Sequence, residues 1–175
     1  MTAFPLLGHA GLDAIFAHRP GGPVRVREFL ADALALAARL PPNRHLLNVC
    51  QDRYRFTVGL AAGLLSGKTS LQPASQSAET LRQIRAGCPD VLCLCDGTFD
   101  NLDLPRLDFP ELLAADVASV SEIPLIPAEH PAVQVYTSGS TGQPTPHRKS
   151  WGSLVRNARA AAKYLASAGD RKSVV

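Results

Sequence analysis

Apolar residues recur along this chain in two rhythms: helical spacings of three and four, and short unbroken runs of four or five. Residues 13–16 and 24–26 flank Arg19-Pro-Gly-Gly-Pro23, which predicts a short hairpin at the glycine pair. From Glu28 to Leu40, Phe29, Leu30, Ala33, Leu34, Ala37 and Leu40 fall at helical spacing, and Pro41-Pro42 stops the helix. Three short segments, Leu46-Leu-Asn-Val-Cys50, Thr69-Ser-Leu-Gln72 and Val91-Leu-Cys-Leu-Cys95, predict strands. Asp52 caps a helix reaching about Ser66, and Gly67 ends it; Ser77 caps another to about Ala86, ended by Gly87-Cys-Pro89.

Strands apolar on both faces, alternating with helices, predict a parallel sheet covered on both sides. The expected fold class is therefore α/β, a layered parallel sheet. Residues 96–130 break the rhythm with Pro105, Pro110, Pro124 and Pro127 and at most a helical turn near 111–115. They are expected to form a surface connection, of a length usually reserved for function or linkage. A strand at 132–136 follows. Then comes Thr137-Ser-Gly-Ser-Thr-Gly-Gln-Pro144, and a helix starting at Ser150 or Ser153 and reaching about Ala168. That helix carries Leu154, Ala158, Ala161, Ala162 and Leu165 on one side. Lys172-Ser-Val-Val175 has the look of another strand beginning, so the chain is expected to be the front of a longer protein.

Composition adds limits. At 175 residues and 46% hydrophobic content the chain has material for a core, so wholesale disorder is excluded. Its most apolar helix, 29–40, is interrupted by Asp32 and Arg39, well short of the roughly 18–20 apolar residues a membrane span needs. The amino terminus lacks a basic stretch leading into an apolar one, so no signal peptide is expected and the predicted location is cytoplasmic. Charge is uneven: residues 1–95 carry a net +4, residues 96–130 a net −7 and residues 131–175 a net +6. The basic residues are dispersed with no aromatic platform between them, which argues against a nucleic-acid partner. Cys50, Cys88, Cys93 and Cys95 form no C-x-x-C pair, and the five histidines are scattered, so the cysteines are expected to be core.

Three segments are candidates for chemistry. Ala62-Gly-Leu-Leu-Ser-Gly-Lys-Thr69 approaches a Walker A loop, but Ala62 stands at the first glycine and the segment closes a helix rather than opening one. It is expected to be a helix C-cap. A serine nucleophile elbow needs a glycine where Ser138 stands, which disfavours a Ser–His–Asp hydrolase. The segment after the 132–136 strand fits better. Thr137, Ser138, Ser140 and Thr141 supply hydroxyls, Gly139 and Gly142 let the backbone approach, and His147, Arg148 and Lys149 follow with positive charge. That chemistry suits a phosphate, although the same residue types also build ordinary polar turns.

Tyr136-Thr-Ser-Gly-Ser-Thr-Gly-Gln-Pro144 resembles the phosphate-loop signature of the adenylate-forming ligases. That superfamily contains acyl- and aryl-CoA synthetases, nonribosomal-peptide adenylation domains and luciferases. Residues 24–30 and 64–73 resemble earlier segments of the same family, in the same order. The resemblance implies that Thr137, Ser138, Gly139, Ser140, Thr141 and Gly142 contact ATP, with Thr137 also a neighbour of Mg²⁺. It implies a small carboxylic acid as the second substrate, activated as acyl-AMP, and CoA or the phosphopantetheine of a carrier protein as acceptor. The family's loop lysine is Thr145 here, with Pro146 after it, and Lys149 is the candidate replacement. No residue of this chain is expected to be catalytic. The family's adenine- and acyl-binding segments, acidic metal ligands, ribose-binding aspartate and lid lysine have no counterpart in these 175 residues. The implied assignment is the N-terminal part of an AMP-binding domain. The alternative is a non-catalytic nucleotide- or phosphate-binding module, or a partner subunit.

Overall fold

A computed structural model describes residues 2–97, 104–111, 113, 115–138 and 144–171. The predicted hairpin forms from β2 (Ile15–Arg19) and β3 (Gly22–Arg25), and leads into α1 (Val26–Ala37). At the start of α1 the Arg25 amide donates to Glu28 Oε2 at 2.6 Å, which satisfies one donor at the helix end. The helix begins two residues before the predicted start, and its buried face is Val26, Phe29, Leu30, Ala33 and Leu36. Leu34, expected in the core, is 40% exposed, because the i, i+3, i+4, i+7 stripe is set by Val26 and Phe29.

The central strands then follow: β4 (His45–Asn48), β5 (Thr69–Gln72) and β6 (Val91–Cys95). Between them run α2 (Arg53–Leu65) and α3 (Ala78–Gly87). Asp52 and Ser77 cap these helices as expected, accepting from the Arg55 and Thr80 amides. Gly67 closes the α2 turn at φ +72°, a conformation glycine adopts without the Cβ penalty.

The main sheet has six strands in the order β10-β9-β5-β4-β6-β7, with β7 (Arg106–Asp108), β9 (Pro131–Ser138) and β10 (Pro144–Ser150) joining the three above. All its pairings are parallel except β9 with β10. Side chains alternate between two cores. Leu46, Leu92 and Leu94 meet α1 and α2 on one face, while Leu47, Leu71, Val91 and Cys93 meet Leu81 and Ile84 of α3 on the other. The predicted α/β layered architecture is observed, with additions. β1 (Ala3–Pro5) pairs with β8 (Leu125–Pro127), and β7 extends the sheet edge. Residues 96–130 are thus a surface connection for only part of their length, since they add two strands, a 3-10 turn at Val117–Ser119, and buried Phe109, Val120 and Ile126.

The last helix, α4 (Trp151–Arg171), departs further from expectation. Its first turn is tied down: the Trp151 amide donates to the His130 carbonyl at 2.9 Å, and Gly152 and Leu154 pack on the body. Beyond that, residues 156–165 are exposed. Of the predicted apolar stripe only Leu154 reaches the core, whereas Leu165 is 69% exposed. The strand expected at 172–175 lies outside the described residues. Among the described residues, no helix is long and apolar enough to cross a membrane.

Candidate functional site

The C-terminal ends of β4, β5, β6 and β9 point the same way, because these strands are mutually parallel. In open α/β sheets that edge binds ligands, above all where successive connections leave in opposite directions. β4 and β6 are such a pair, since the chain leaves β4 toward β5 and β6 toward β7. Asp96 sets its two carboxylate oxygens on the Gln51 and Asp52 amides at 2.8 and 2.9 Å, just ahead of α2. The end of β9 lies on this same edge.

The structure departs from the predicted order at that point. The segment after β9 does not enter a helix; it returns as β10, which pairs antiparallel with β9. Exposed His147, Arg148 and Lys149, expected beyond a loop, lie on that return strand. The last ladder pairs are Thr137 with Thr145 and Ser138 with Pro144, so these residues stand where the hairpin closes. Gly139, Ser140, Thr141 and Gly142 lie outside the described residues.

Lys149 is not brought to the closing end. It pairs with Val133, five residues past Pro144, or about 17 Å along the strand. That exceeds the reach of a lysine side chain, so the candidate replacement is displaced by the ladder itself. Arg148 is engaged too: its Nε donates to Gln134 Oε1 at 3.1 Å.

One residue matters here in a way spacing alone does not reveal. Tyr136 is 8% exposed and packs among Leu71, Leu81 and Cys88. Its hydroxyl accepts from Gln134 Nε2 at 2.7 Å and lies 3.8 Å from Cys88 Sγ. Burial, then the contact with Cys88, pushes its phenol up to about 12, so it stays neutral. The aromatic ring thereby anchors the end of β9 against the end of α3, immediately before Thr137.

The other expectations separate clearly. Lys68 of the Walker-like segment is 4% exposed and gives its ammonium to the Pro41 and Asn43 carbonyls at 2.5 and 2.6 Å. Desolvation lowers its pKa, and it is a structural clamp beneath α2, consistent with a C-cap. All four cysteines are buried and free. Burial pushes Cys50 and Cys93 up to about 12 and Cys95 to about 11, which keeps these thiols protonated near neutral pH. Among the described residues, no group of three or more His, Cys, Asp or Glu side chains is placed to hold a metal.

No family model and no curated protein matches the sequence. Solved structures do. A double mutant of o-succinylbenzoate CoA synthetase from Bacillus subtilis, bound with its product analogue, superimposes with a TM-score of 0.69 at 20% identity. The match covers 87% of this chain and 34% of that one. An ATP-bound RpMatB–BxBclM chimera gives 0.68 at 14% identity, over 89% of this chain and 35% of that one. The N-terminal subdomain of Klebsiella oxytoca NpsA gives 0.57 at 17% identity, over 73% and 35%. The fold is that of the N-terminal portion of the adenylate-forming ligases. At these identities the likeness is one of architecture. The chain spans about a third of the length of these adenylate-forming neighbours.

Proposed function

We propose that the chain is the phosphate-gripping N-terminal part of an ATP-dependent carboxylic-acid ligase, cytoplasmic in location. The observation that carries this reading is the β9–β10 hairpin. Within an adenylate-forming fold, it sets Thr137 and Ser138 at the ligand-binding edge of the sheet, flanking the Gly139–Ser140–Thr141–Gly142 connection. The solved B. subtilis synthetase in complex with ATP and magnesium ion, which covers 82% of this chain at a TM-score of 0.63, supports nucleotide as the ligand.

In the proposed reaction a carboxylate oxygen of a small acid bonds to the α-phosphorus of ATP. The bond from that phosphorus to the bridging oxygen breaks, and pyrophosphate leaves with the electron pair. The hairpin's part is to hold the β- and γ-phosphates, through hydroxyls and amides preorganised for the charge that develops on them. The Tyr136 anchor fixes where those donors stand. Magnesium, when bound, would neutralise phosphate charge, and Thr137 would offer it one oxygen. The described residues hold no fuller ligand set. Transfer of the acyl group to CoA or to a carrier-protein thiol belongs to the same proposal.

Calorimetric titration of the 175-residue chain with ATP tests the reading. The expected result is saturable binding that weakens at least tenfold, or about 1.4 kcal/mol, in Gly139→Val and in Thr141→Val. Undiminished affinity in both variants would overturn it and would leave a binding module that uses some other surface.

A further inference from the structure

At the opposite end of the sheet from the hairpin loop lies a second cleft, of about 370 Å³. Its walls include Arg44, His45, Thr69, His130 and Arg148, contributed by the starts of β4 and β5, the start of β9 and the far part of β10. His45, Thr69 and Arg148 are placed on one face by strand alternation. His45 and Thr69 are two residues before Leu47 and Leu71, and Arg148 stands opposite Gln134 in the ladder, which places all three on the α3 side of the sheet. Four of the lining side chains are cationic or become so on protonation, and among the described residues no carboxylate is part of the lining.

The hydrogen bonds leave this charge largely unspent. Arg44 uses its backbone amide, not its guanidinium, to bind Asp90 Oδ2 at 2.9 Å. Arg148 spends only Nε, on Gln134. His45 directs Nδ1 to Asp90 Oδ1 at 2.6 Å, and His130 directs Nε2 to the Lys68 carbonyl at 3.1 Å, so each ring keeps its second nitrogen. Among the described residues, Asp90 is the carboxylate bonded to a lining side chain, His45. Thr69 is held in place by its Oγ1 donating to the Pro131 carbonyl at 2.8 Å. Two arginines and two histidines lining one cleft, with Asp90 at its margin paired to His45, leave an excess of positive charge that suits a phosphate bound through charge-assisted hydrogen bonds.

We propose that this cleft is a second anion site, taking a phosphate monoester or a comparable small dianion, separate from the ATP loop. β9 runs from the cleft to the loop, a span of about 23 Å for its eight residues. One phosphate group does not bridge the two. The cleft's volume lies near the lower end of the roughly 300–1,000 Å³ range of small-molecule sites, so it suits a small phosphorylated molecule.

Inorganic phosphate is the probe. The 175-residue chain is titrated with phosphate at constant ionic strength set with chloride, by calorimetry and by amide chemical shift. Arg44 and Arg148 are both exposed, so Arg44→Gln/Arg148→Gln removes charge without opening a core, and circular dichroism checks that it folds. The expected result is saturable binding, at least tenfold weaker in the double variant, retained by Arg44→Lys/Arg148→Lys to within a few-fold, and unchanged in Gly139→Val. Absence of saturable binding overturns the proposal. So does equal affinity in the folded Gln double variant. Loss in Gly139→Val with retention in the double variant overturns it as well, by assigning the phosphate to the ATP loop.

Discussion

Replacing Gly59 by alanine tests the packing that holds α2 against the sheet. A Cβ at this position would lie 2.5 Å from Asn48 Nδ2 and 2.6 Å from Leu94 Cδ2, both closer than real contacts allow. Two terms oppose each other. Alanine in a helix interior gains about 1 kcal/mol over glycine. Overpacking of this kind costs roughly 1–3 kcal/mol. Displacing Asn48 adds to it, because its amide donates to the Phe56 carbonyl at 2.8 Å from a position only 5% exposed. Losing that buried bond costs about 1–3 kcal/mol more. The net is a destabilisation of about 3 kcal/mol. With a urea dependence of roughly 2 kcal/mol per molar, the midpoint falls by about 1.5 M. Gly87 is the control: it ends α3, is exposed, and a Cβ there meets nothing within 4 Å. Gly87→Ala is expected to be neutral or stabilising by a few tenths of a kcal/mol. Equal or greater stability of Gly59→Ala, with unchanged urea dependence, would refute the close approach of α2 to β4 and β6.

Tyr136→Phe keeps the ring anchor but strips the acceptor from Gln134 Nε2, and should cost about 1–2 kcal/mol in urea unfolding while leaving ATP affinity intact. Asp32 has its pKa raised, chiefly by burial, against the lowering effects of the Tyr54 hydroxyl and Arg19. Its stabilising contribution is therefore present below the unfolded pKa and lost as pH rises through the folded one. Asp32→Asn should exceed the unsubstituted chain in stability at pH 7, with the gap closing toward pH 4; an equal gap at both pH values contradicts this. The buried thiols, with Cys93 pushed up to about 12, should react with a disulfide reagent at pH 8 only as fast as the protein unfolds. Burst labelling of the native chain would contradict that account.

The central layers were legible from local signals. The 69–72 and 91–95 runs match β5 and β6 residue for residue, and Asp52 and Ser77 cap where spacing places them. These are features a few neighbouring residues decide. What escaped was decided by distant partners. β10 carries Pro144, Pro146 and a run of polar residues, a poor strand by propensity, and exists because β9 offers it a ladder. β1 and β7 are three residues each, too short for any periodicity to register. The position of Lys149 followed from the same omission, since treating 144–150 as irregular chain left its reach unconstrained. Among the site residues, the motif indicated Thr137 and Ser138, and their place at the closing end of a hairpin came only with the ladder register. The role of Tyr136 depended on Cys88, 48 residues away.

The central claim is that the β9–β10 connection grips the phosphates of ATP. Amide chemical-shift mapping of the 175-residue chain under ATP titration tests it most directly. The account predicts saturable shifts concentrated at residues 136–145, absent when adenosine replaces ATP. Shifts confined to other surfaces, or none at saturating nucleotide, would contradict it.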